Sequence, residues 1–232
     1  MFFQLLLIAI TPGIAILLYV YYRDKYEKEP PQLVRKVFLY GALATFVAGA
    51  LELSFYSVHL WWLEKHAVFL FALLYSFIVI APVEEGLKFL VTYNIAYRNS
   101  EFNEPMDGIV YATAASLGFA TLENIMYVFK YGMRVGIDRA FISVPVHAFM
   151  GIIMGSYMGK AKFVRSKNVQ NRLLWKAFYI PLLLHGFFDF VLLSRTYLAV
   201  LIYPFIIYVM IVSLKDIDVS LSESPFKEKE ND

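Results

Sequence analysis

The chain has 232 residues, of which 59% are hydrophobic, 18% aromatic and only 17% charged, with a formal net charge of +2. A soluble domain carries about a quarter charged residues, and a core of this length cannot cover so much apolar surface. The absence of cysteine excludes disulfides, thiolate metal ligands and a cysteine nucleophile. Lys and Arg form no groove-sized basic patch, which argues against nucleic acid as a partner. Composition therefore predicts an integral membrane protein whose surroundings are a lipid bilayer.

Seven stretches are apolar for the roughly 20 residues that a helix needs to cross the hydrocarbon core. They are residues 2–22, 36–57, 67–96, 107–129, 138–159, 174–193 and 196–214. The first has no basic leader and no small-residue cleavage site, so we predict a retained span rather than a signal peptide. The third is longer than one crossing requires and contains Pro82, so it is either one tilted helix or a kinked pair. We predict an all-α, polytopic transmembrane bundle of about seven helices, with an eighth left open.

Basic residues in the connections predict the orientation of the bundle. Fifteen Lys and Arg residues fall on the side of the C-terminus, and five fall on the side of the N-terminus. This asymmetry predicts an N-terminus outside the cell and a C-terminus in the cytoplasm. Residues 1–215 form a single membrane domain in this interpretation, and residues 216–232 are a polar cytoplasmic tail that we expect to be disordered.

Five acids and two histidines lie inside the apolar stretches, where a charge costs at least a few kcal/mol and is rarely left unpaired. They are Glu52, Glu84, Glu85, Glu123, His147, His185 and Asp189. Each of them must face protein or a water-filled cavity. We expect them to line one cavity.

The adjacent pair Glu84-Glu85, followed by Lys88, is the sharpest of these features. Two neighbouring carboxylates repel each other, and burial also disfavours their charge, so one of them is suited to accept a proton from water near neutral pH. The alternative is that Glu84 and Lys88, four residues apart on one helix face, only neutralise each other. That alternative explains Glu84 but leaves Glu85 without a partner.

His185 and Asp189 stand four residues apart, so their side chains share one helix face. A carboxylate that holds an imidazole fixes its tautomer and makes its free nitrogen more basic, which suits a metal ligand or an oriented base. Asp189 could instead be a ligand itself. The plainer alternative is a pair that stabilises the helix and packs against a neighbouring span.

His147 begins a run with glycine at every fourth residue, namely Gly151, Gly155 and Gly159. Such small residues let two membrane helices approach closely, so His147 should point into the bundle rather than at lipid. A lone buried histidine is more often a core residue than a ligand. Because acids also lie inside the neighbouring apolar stretches, a functional role is favoured for His147.

Glu123 lies beside another stripe of small residues, at positions 112, 116 and 120. It is a candidate ligand, or it pairs with a basic residue across the bundle. Glu52 has no motif around it and is a weaker candidate. His59 and His66 flank an aromatic pair that is typical of a membrane interface, so they receive no catalytic role.

Four blocks in chain order resemble the PrsW family, distant relatives of the CAAX-prenyl protease and bacteriocin-processing group. The blocks are Glu84-Glu85-x-x-Lys88, Phe119-x-x-x-Glu123-Asn124, His147-Ala148 with Gly151, and His185-Gly186-x-x-Asp189. The signatures H-E-x-x-H, H-x-x-E-H, G-x-S-x-G and G-x-G-D are absent. Any hydrolase here would therefore activate water with carboxylate and histidine.

This resemblance implies a bacterial cell-membrane protease that makes the first, site-1 cut in a single-span anti-sigma factor during a stress response. Glu84 and Glu85 match the family's essential di-glutamate, and His185 with Asp189 matches the final histidine and Asn/Asp of the prenyl-protease relatives. Glu123 replaces a histidine of those relatives. We predict a zinc site of Glu123, His147 and His185, with Glu84 or Glu85 as the base and Asp189 orienting His185. A metal-free version, with the histidines stabilising the oxyanion, stays open.

Two other classes of protein also carry buried polar residues. A small proton- or ion-coupled transporter uses buried acids and histidines as a proton relay, although it often shows inverted repeats that are absent here. A non-catalytic scaffold is the third class, and it would tolerate replacement of all these residues by Ala or Leu.

Overall fold

Seven long helices form the bundle in the computed structural model, which describes residues 2–227 apart from the side chains of Val58 and His59. They are α1 (Phe2–Arg23), α2 (Pro31–Phe55), α3 (Val68–Tyr97), α4 (Pro105–Tyr131), α5 (Met133–Phe163), α6 (Lys167–Leu193) and α7 (Tyr197–Ser222). Each is long and apolar enough to cross a membrane, and the described residues contain no strand. The prediction of an all-α bundle with seven spans is confirmed. An eighth, short helix, Trp61–His66, lies between α2 and α3.

The helices α4 and α5 lie at the centre of the bundle. In their most apolar 18-residue windows, 78% and 72% of the residues are buried, against 17% in α1 and 22% in α7. The other helices surround this pair and leave large apolar side chains on the outside, including Leu39, Phe46 and Tyr208. An apolar exterior of this kind is what a lipid-facing surface requires.

Small residues allow the central pair to pack closely. A methyl group added to Gly155 of α5 would lie 2.2 Å from the carbonyl oxygen of Gly108 in α4, and one added to Gly108 would lie 2.3 Å from the carbonyl oxygen of Gly155. Gly151 and Gly159 meet the backbone of α4 in the same way. The close approach predicted from the glycine spacing is therefore observed, and it brings His147 into the protein interior.

The long third span is one continuous helix with a widened turn. A π-helical segment, Tyr75–Ile80, immediately precedes the α-helical segment Ala81–Thr92. Pro82 has no N–H group and its ring crowds the preceding turn, so a wider turn at this point accommodates it. The distortion lies just before Glu84 and Glu85.

The last helix extends further toward the C-terminus than the sequence predicted. The last helix continues to Ser222, and Ile217 and Ser220 are buried against the bundle. The prediction of disorder is therefore wrong for residues 216–222, because an apolar residue at every third or fourth position keeps one face of this polar segment on the protein. The tail residues 228–232 lie outside the described part of the chain.

The bundle has two ends, which we call the N-terminal face and the C-terminal face after the chain terminus at each. The N-terminal face carries the short helix Trp61–His66, on which Trp61 and Trp62 are exposed. The ring of His66 lies 4.6 Å from that of Trp62, as in an interfacial aromatic belt. The C-terminal face carries the connection of residues 24–30 and the beginning of α4.

Candidate active site

Four helices bring polar side chains together inside the bundle, nearer to the N-terminal face than to the C-terminal face. The residues are Glu84, Glu85 and Lys88 of α3, Glu123 of α4, His147 of α5, and His185 and Asp189 of α6. All but Glu123 and Asp189 are buried, and these two are partly buried. The bundle thus places residues from all four sequence blocks in contact with one another.

Lys88 lies at the centre of this group. Its fully buried ammonium Nζ donates to Glu85 Oε1 at 2.8 Å and to Glu84 Oε2 at 3.0 Å. The same nitrogen lies 3.0 Å from His147 Nδ1 and 4.4 Å from the centre of the Phe119 ring. One ammonium therefore compensates two adjacent carboxylates, and a buried charge can remain in the membrane only with such partners.

His185 is held between carboxylates. Its Nδ1 lies 2.7 Å from Glu85 Oε1, and its Nε2 lies 3.3 Å from Asp189 Oδ2 and 3.9 Å from Glu84 Oε2. The predicted four-residue pair with Asp189 is thus present, but the closest partner of the imidazole is Glu85 on another helix. Two fixed partners set the orientation of this ring, as an oriented base or a ligand requires.

His147 connects Lys88 to Glu123. Because the Lys88 ammonium can only donate, His147 Nδ1 accepts, and Nε2, which then carries the hydrogen, lies 3.3 Å from Glu123 Oε2. Glu123 also accepts from Arg139 Nη2 at 2.6 Å, and Arg139 Nε donates to Asn124 Oδ1 at 3.2 Å. Of the two interpretations of Glu123 drawn from the sequence, the second was that it pairs with a basic residue across the bundle. Arg139 is that partner.

A cavity of about 140 Å³ opens beside these residues. Its polar lining consists of Glu52, Glu84, Glu123, Tyr127, Ser143, His147, His185 and Asp189. Glu84 lines this cavity, whereas its neighbour Glu85 does not. Since a water molecule occupies about 30 Å³ in the liquid, the cavity has room for a few waters or for a peptide group with one water.

The composition of the group fits a metal ion. Glu84, Glu85, His147 and His185 each offer a ligand atom, and these atoms lie within 4.8 Å of one another. The second carboxylate oxygen of Glu85 is buried and accepts no hydrogen bond within residues 2–227. Imidazole nitrogens and carboxylate oxygens suit zinc and other transition metals. Glu123, the predicted third ligand, lies outside this group of four.

Comparison with known proteins assigns the family. Residues 29–214 match the model of the PrsW family intramembrane metalloproteases. The chain belongs to this family. It is 39% identical over 193 residues to the Protease PrsW of Geobacillus kaustophilus, covering 83% of this chain and 81% of that protein. It is 35% identical over 206 residues to the Protease PrsW of Bacillus subtilis, covering 89% and 90% of the two chains. No solved structure matches the chain.

Family membership makes the protein a membrane-embedded peptidase and confirms the resemblance drawn from the four blocks. It also favours the peptidase over the transporter and the scaffold. A metal is part of the family description, and the buried His and Glu residues are able to bind one. Family membership by itself specifies neither zinc nor a substrate.

Sequence reasoning missed one member of the site, Arg139, and underestimated Glu52 and Lys88. Glu52 lines the cavity although no motif marks it, and Lys88 contacts both glutamates and His147 rather than Glu84 alone. Arg139, counted among the residues outside the membrane, reaches into the bundle to Glu123. A signal for Arg139 was present: it follows Glu123 by 16 residues, on the other side of the turn at Gly132, so the two side chains can face each other.

Proposed function

We propose that this protein is an intramembrane endopeptidase that makes the first cut in a single-span, membrane-bound anti-sigma factor. The observation that carries the peptidase chemistry is the convergence of Glu84, His147 and His185 on one small polar cavity within an otherwise apolar bundle. Family membership supports the peptide bond as the target. The anti-sigma substrate, and with it a role in a stress response, rests on the resemblance of the four blocks.

Glu84 is the general base in this proposal, because it is the member of the glutamate pair that reaches the cavity. Its carboxylate takes a proton from a water molecule, and the water oxygen attacks the carbonyl carbon of the scissile bond. The C–N bond then breaks, and Glu84 returns the proton to the leaving amine. Lys88 donates to Glu84 at 3.0 Å and so holds its carboxylate in position beside the cavity.

His147, His185 and Glu85 would hold the zinc ion, with Glu123 orienting His147 and Asp189 orienting His185. When bound, zinc supplies a Lewis acid that makes water easier to deprotonate and polarises the scissile carbonyl. Glu85 replaces Glu123 in the ligand set because it belongs to the group of four whose ligand atoms lie within 4.8 Å of one another, and one of its carboxylate oxygens has no donor among the described residues, whereas Glu123 is already paired with Arg139. Lys88 donates to His147 Nδ1 at 3.0 Å, so a metal held through that nitrogen would take the place of this hydrogen bond.

The size of the cavity sets a condition on the substrate. An α-helix with its side chains is about 10–12 Å across, far too wide for about 140 Å³. The substrate must therefore unwind at the scissile bond and present an extended peptide. A helix end near the membrane surface unwinds more readily than a helix centre, since its last carbonyl groups already lack helical partners.

A second cavity of about 460 Å³ suggests the access route. It shares Glu52 and Leu193 with the catalytic cavity and continues to Glu64, Lys130 and Tyr131 at the N-terminal face. The excess of basic residues on the other side supports a location of the N-terminal face outside the cytoplasm. We therefore propose that water and substrate reach Glu84 from the outer surface, and that the C-terminus is cytoplasmic.

Cleavage of a reconstituted single-span substrate tests the proposal. Wild type and the variants Glu84→Gln and His185→Ala are compared in liposomes with Asp218→Asn, a matched carboxylate variant at the C-terminal face. We expect loss of cleavage in the first two variants and normal cleavage in the control. Cleavage at the wild-type rate by a folded Glu84→Gln variant would refute the assignment. A cytoplasmic location of the N-terminus, measured in cells by labelling a single cysteine introduced at Gln4, would refute the orientation.

A further inference from the structure

A second group of carboxylates is buried at the C-terminal face, about 24 Å along α4 from Glu123 by the rise of a helix. We call it the acidic cluster. It consists of Asp24, Glu27 and Glu29 in the α1–α2 connection, with Glu104 and Asp107 at the start of α4. All but Glu27 have a relative exposure of 0%. No part of the proposed peptidase mechanism uses it.

Several oxygens of the acidic cluster have no donor. Asp107 Oδ2 accepts from the backbone N–H groups of Asn103 and Glu104, and Glu29 Oε2 accepts from the hydroxyl of Tyr111. Both carboxylate oxygens of Asp24, Oε1 of Glu29 and Oδ1 of Asp107 are buried and accept no hydrogen bond from residues 2–227. Buried carboxylate oxygens without donors are costly, so an additional positive group is expected there.

The neighbouring basic side chains do not supply that group. Lys28 donates its ammonium hydrogens to the carbonyl oxygens of Tyr21 and Tyr22, at 3.0 and 3.2 Å. Lys162 donates to the carbonyl oxygen of Tyr97 at 2.6 Å, and Arg23 pairs with Asp218 outside the cluster. Lys28, Lys162 and Arg23 thus each have another acceptor, and Lys25 lies over the ring of Tyr26 at 4.7 Å.

Protons are the alternative occupants. Burial, together with the carboxylates of Glu104 and Asp107, raises the pKa of Asp24 to about 8. Burial and the contact with Asp107 raise the pKa of Glu29 to about 10. In the absence of a cation these carboxyls would therefore hold protons at neutral pH, and a metal ion that binds there would displace them.

We propose that the acidic cluster is a binding site for a hard divalent cation, Ca²⁺ or Mg²⁺. Ligand oxygens of Asp24, Glu29 and Asp107 lie within 4.8 Å of one another, and those of Glu27, Glu104 and Asp107 do so as well, with Asp107 common to both groups. An all-oxygen set rich in carboxylates is the preferred environment of Ca²⁺ and Mg²⁺, and it contains none of the nitrogen ligands of the His/Glu site.

A cation at this position would join two parts of the fold. Asp24 and Glu29 belong to the connection between α1 and α2, whereas Asp107 lies in the first turn of α4. The cation would hold that connection against the start of the most buried helix. The site is independent of the proposed peptidase function, so either proposal can fail without the other.

Terbium luminescence tests the proposal on the purified full-length protein. Tb³⁺ prefers oxygen ligands as Ca²⁺ does, and Tyr111, in contact with Glu29, can sensitise its emission. We expect emission in wild type that Ca²⁺ or Mg²⁺ displaces and Zn²⁺ does not. Asp24→Asn and Glu29→Gln should weaken Ca²⁺ competition by about tenfold or more. Asp218→Asn, a carboxylate of the same face, and Glu85→Gln at the His/Glu site should match wild type.

Equal terbium emission in all variants, or emission that neither Ca²⁺ nor Mg²⁺ displaces, would overturn the site. A thermal measurement decides the matter if the amide variants do not fold. Ca²⁺ or Mg²⁺ added to chelator-treated wild type should raise its unfolding temperature. An unfolding temperature that is indifferent to both ions would mean that shared protons occupy the cluster, and the proposal would be wrong.

Discussion

At the middle of the bundle, the ammonium of Lys88 donates to Glu84 and Glu85, whereas at the C-terminal face Asp24 and Asp107 have carboxylate oxygens without a donor. Both groups are buried, so both need positive charge. The first obtains it from a side chain on the same helix and also contains two histidines. The second joins a loop to a helix end and contains only acids. This difference is the basis of the two proposals, namely peptide hydrolysis at the first group and binding of a divalent cation at the second.

The largest expected effect is on catalysis. Glu84→Gln keeps the shape of the side chain but cannot accept a proton, so cleavage of the reconstituted substrate should fall by about 10²–10⁴-fold. Asp24→Asn removes a carboxylate of the other group, and its cleavage rate should fall far less than that. Equal losses in the two variants would mean that the two groups do not differ in the way proposed.

The second prediction concerns the charge of Lys88. Lys88→Met leaves two buried carboxylates without their ammonium, so the free energy of unfolding should fall by about 3–5 kcal/mol. Unfolding in mixed micelles measures this loss. The triple variant Glu84→Gln/Glu85→Gln/Lys88→Met should recover much of it, because the uncompensated charges are gone. A Lys88→Met variant as stable as wild type would show that the ammonium does not compensate this site.

Metal content separates the two possible ligand sets. We expect Glu85→Gln, His147→Ala and His185→Ala to lose bound zinc, measured by mass spectrometry of the purified protein. Glu123→Gln should keep zinc with an affinity lowered by about 10–100-fold, as for a residue that only orients a ligand. A zinc-free Glu123→Gln beside a zinc-loaded Glu85→Gln would restore Glu123 as the third ligand. Equal zinc content in all four variants and wild type would remove the zinc proposal.

The smallest expected effect tests the connection between the two regions, since α4 carries both Asp107 and Glu123. Gly155→Ala places a methyl group against the backbone of Gly108, so the free energy of unfolding should fall by about 1–3 kcal/mol. Gly49→Ala is the control, because no heavy atom lies within 4 Å of the added methyl. Equal stability of the two variants would show that the helices separate there without cost.

Several features of this protein can be predicted from short stretches of its sequence taken separately. Each span is an apolar run long enough to cross a membrane, and that property depends only on neighbours along the chain. The glycines that follow His147 likewise predicted a close approach to another helix, which the structure identifies as α4. The four blocks were sufficient to indicate the family, although the roles of their residues stay predictions.

Which side chains of two helices come into contact depends on the rotation of each helix about its axis and on the depth of each residue in the bundle. No local sequence pattern determines either. Only the folded bundle shows that Arg139 reaches Glu123, that Lys88 bonds to Glu85 and His147, and that Glu52 lines the cavity. The acidic cluster is equally a product of the tertiary structure. Its members are charged residues of connections and a helix end, which appear solvent-exposed in the sequence, and they become buried because α4 begins beside the α1–α2 connection.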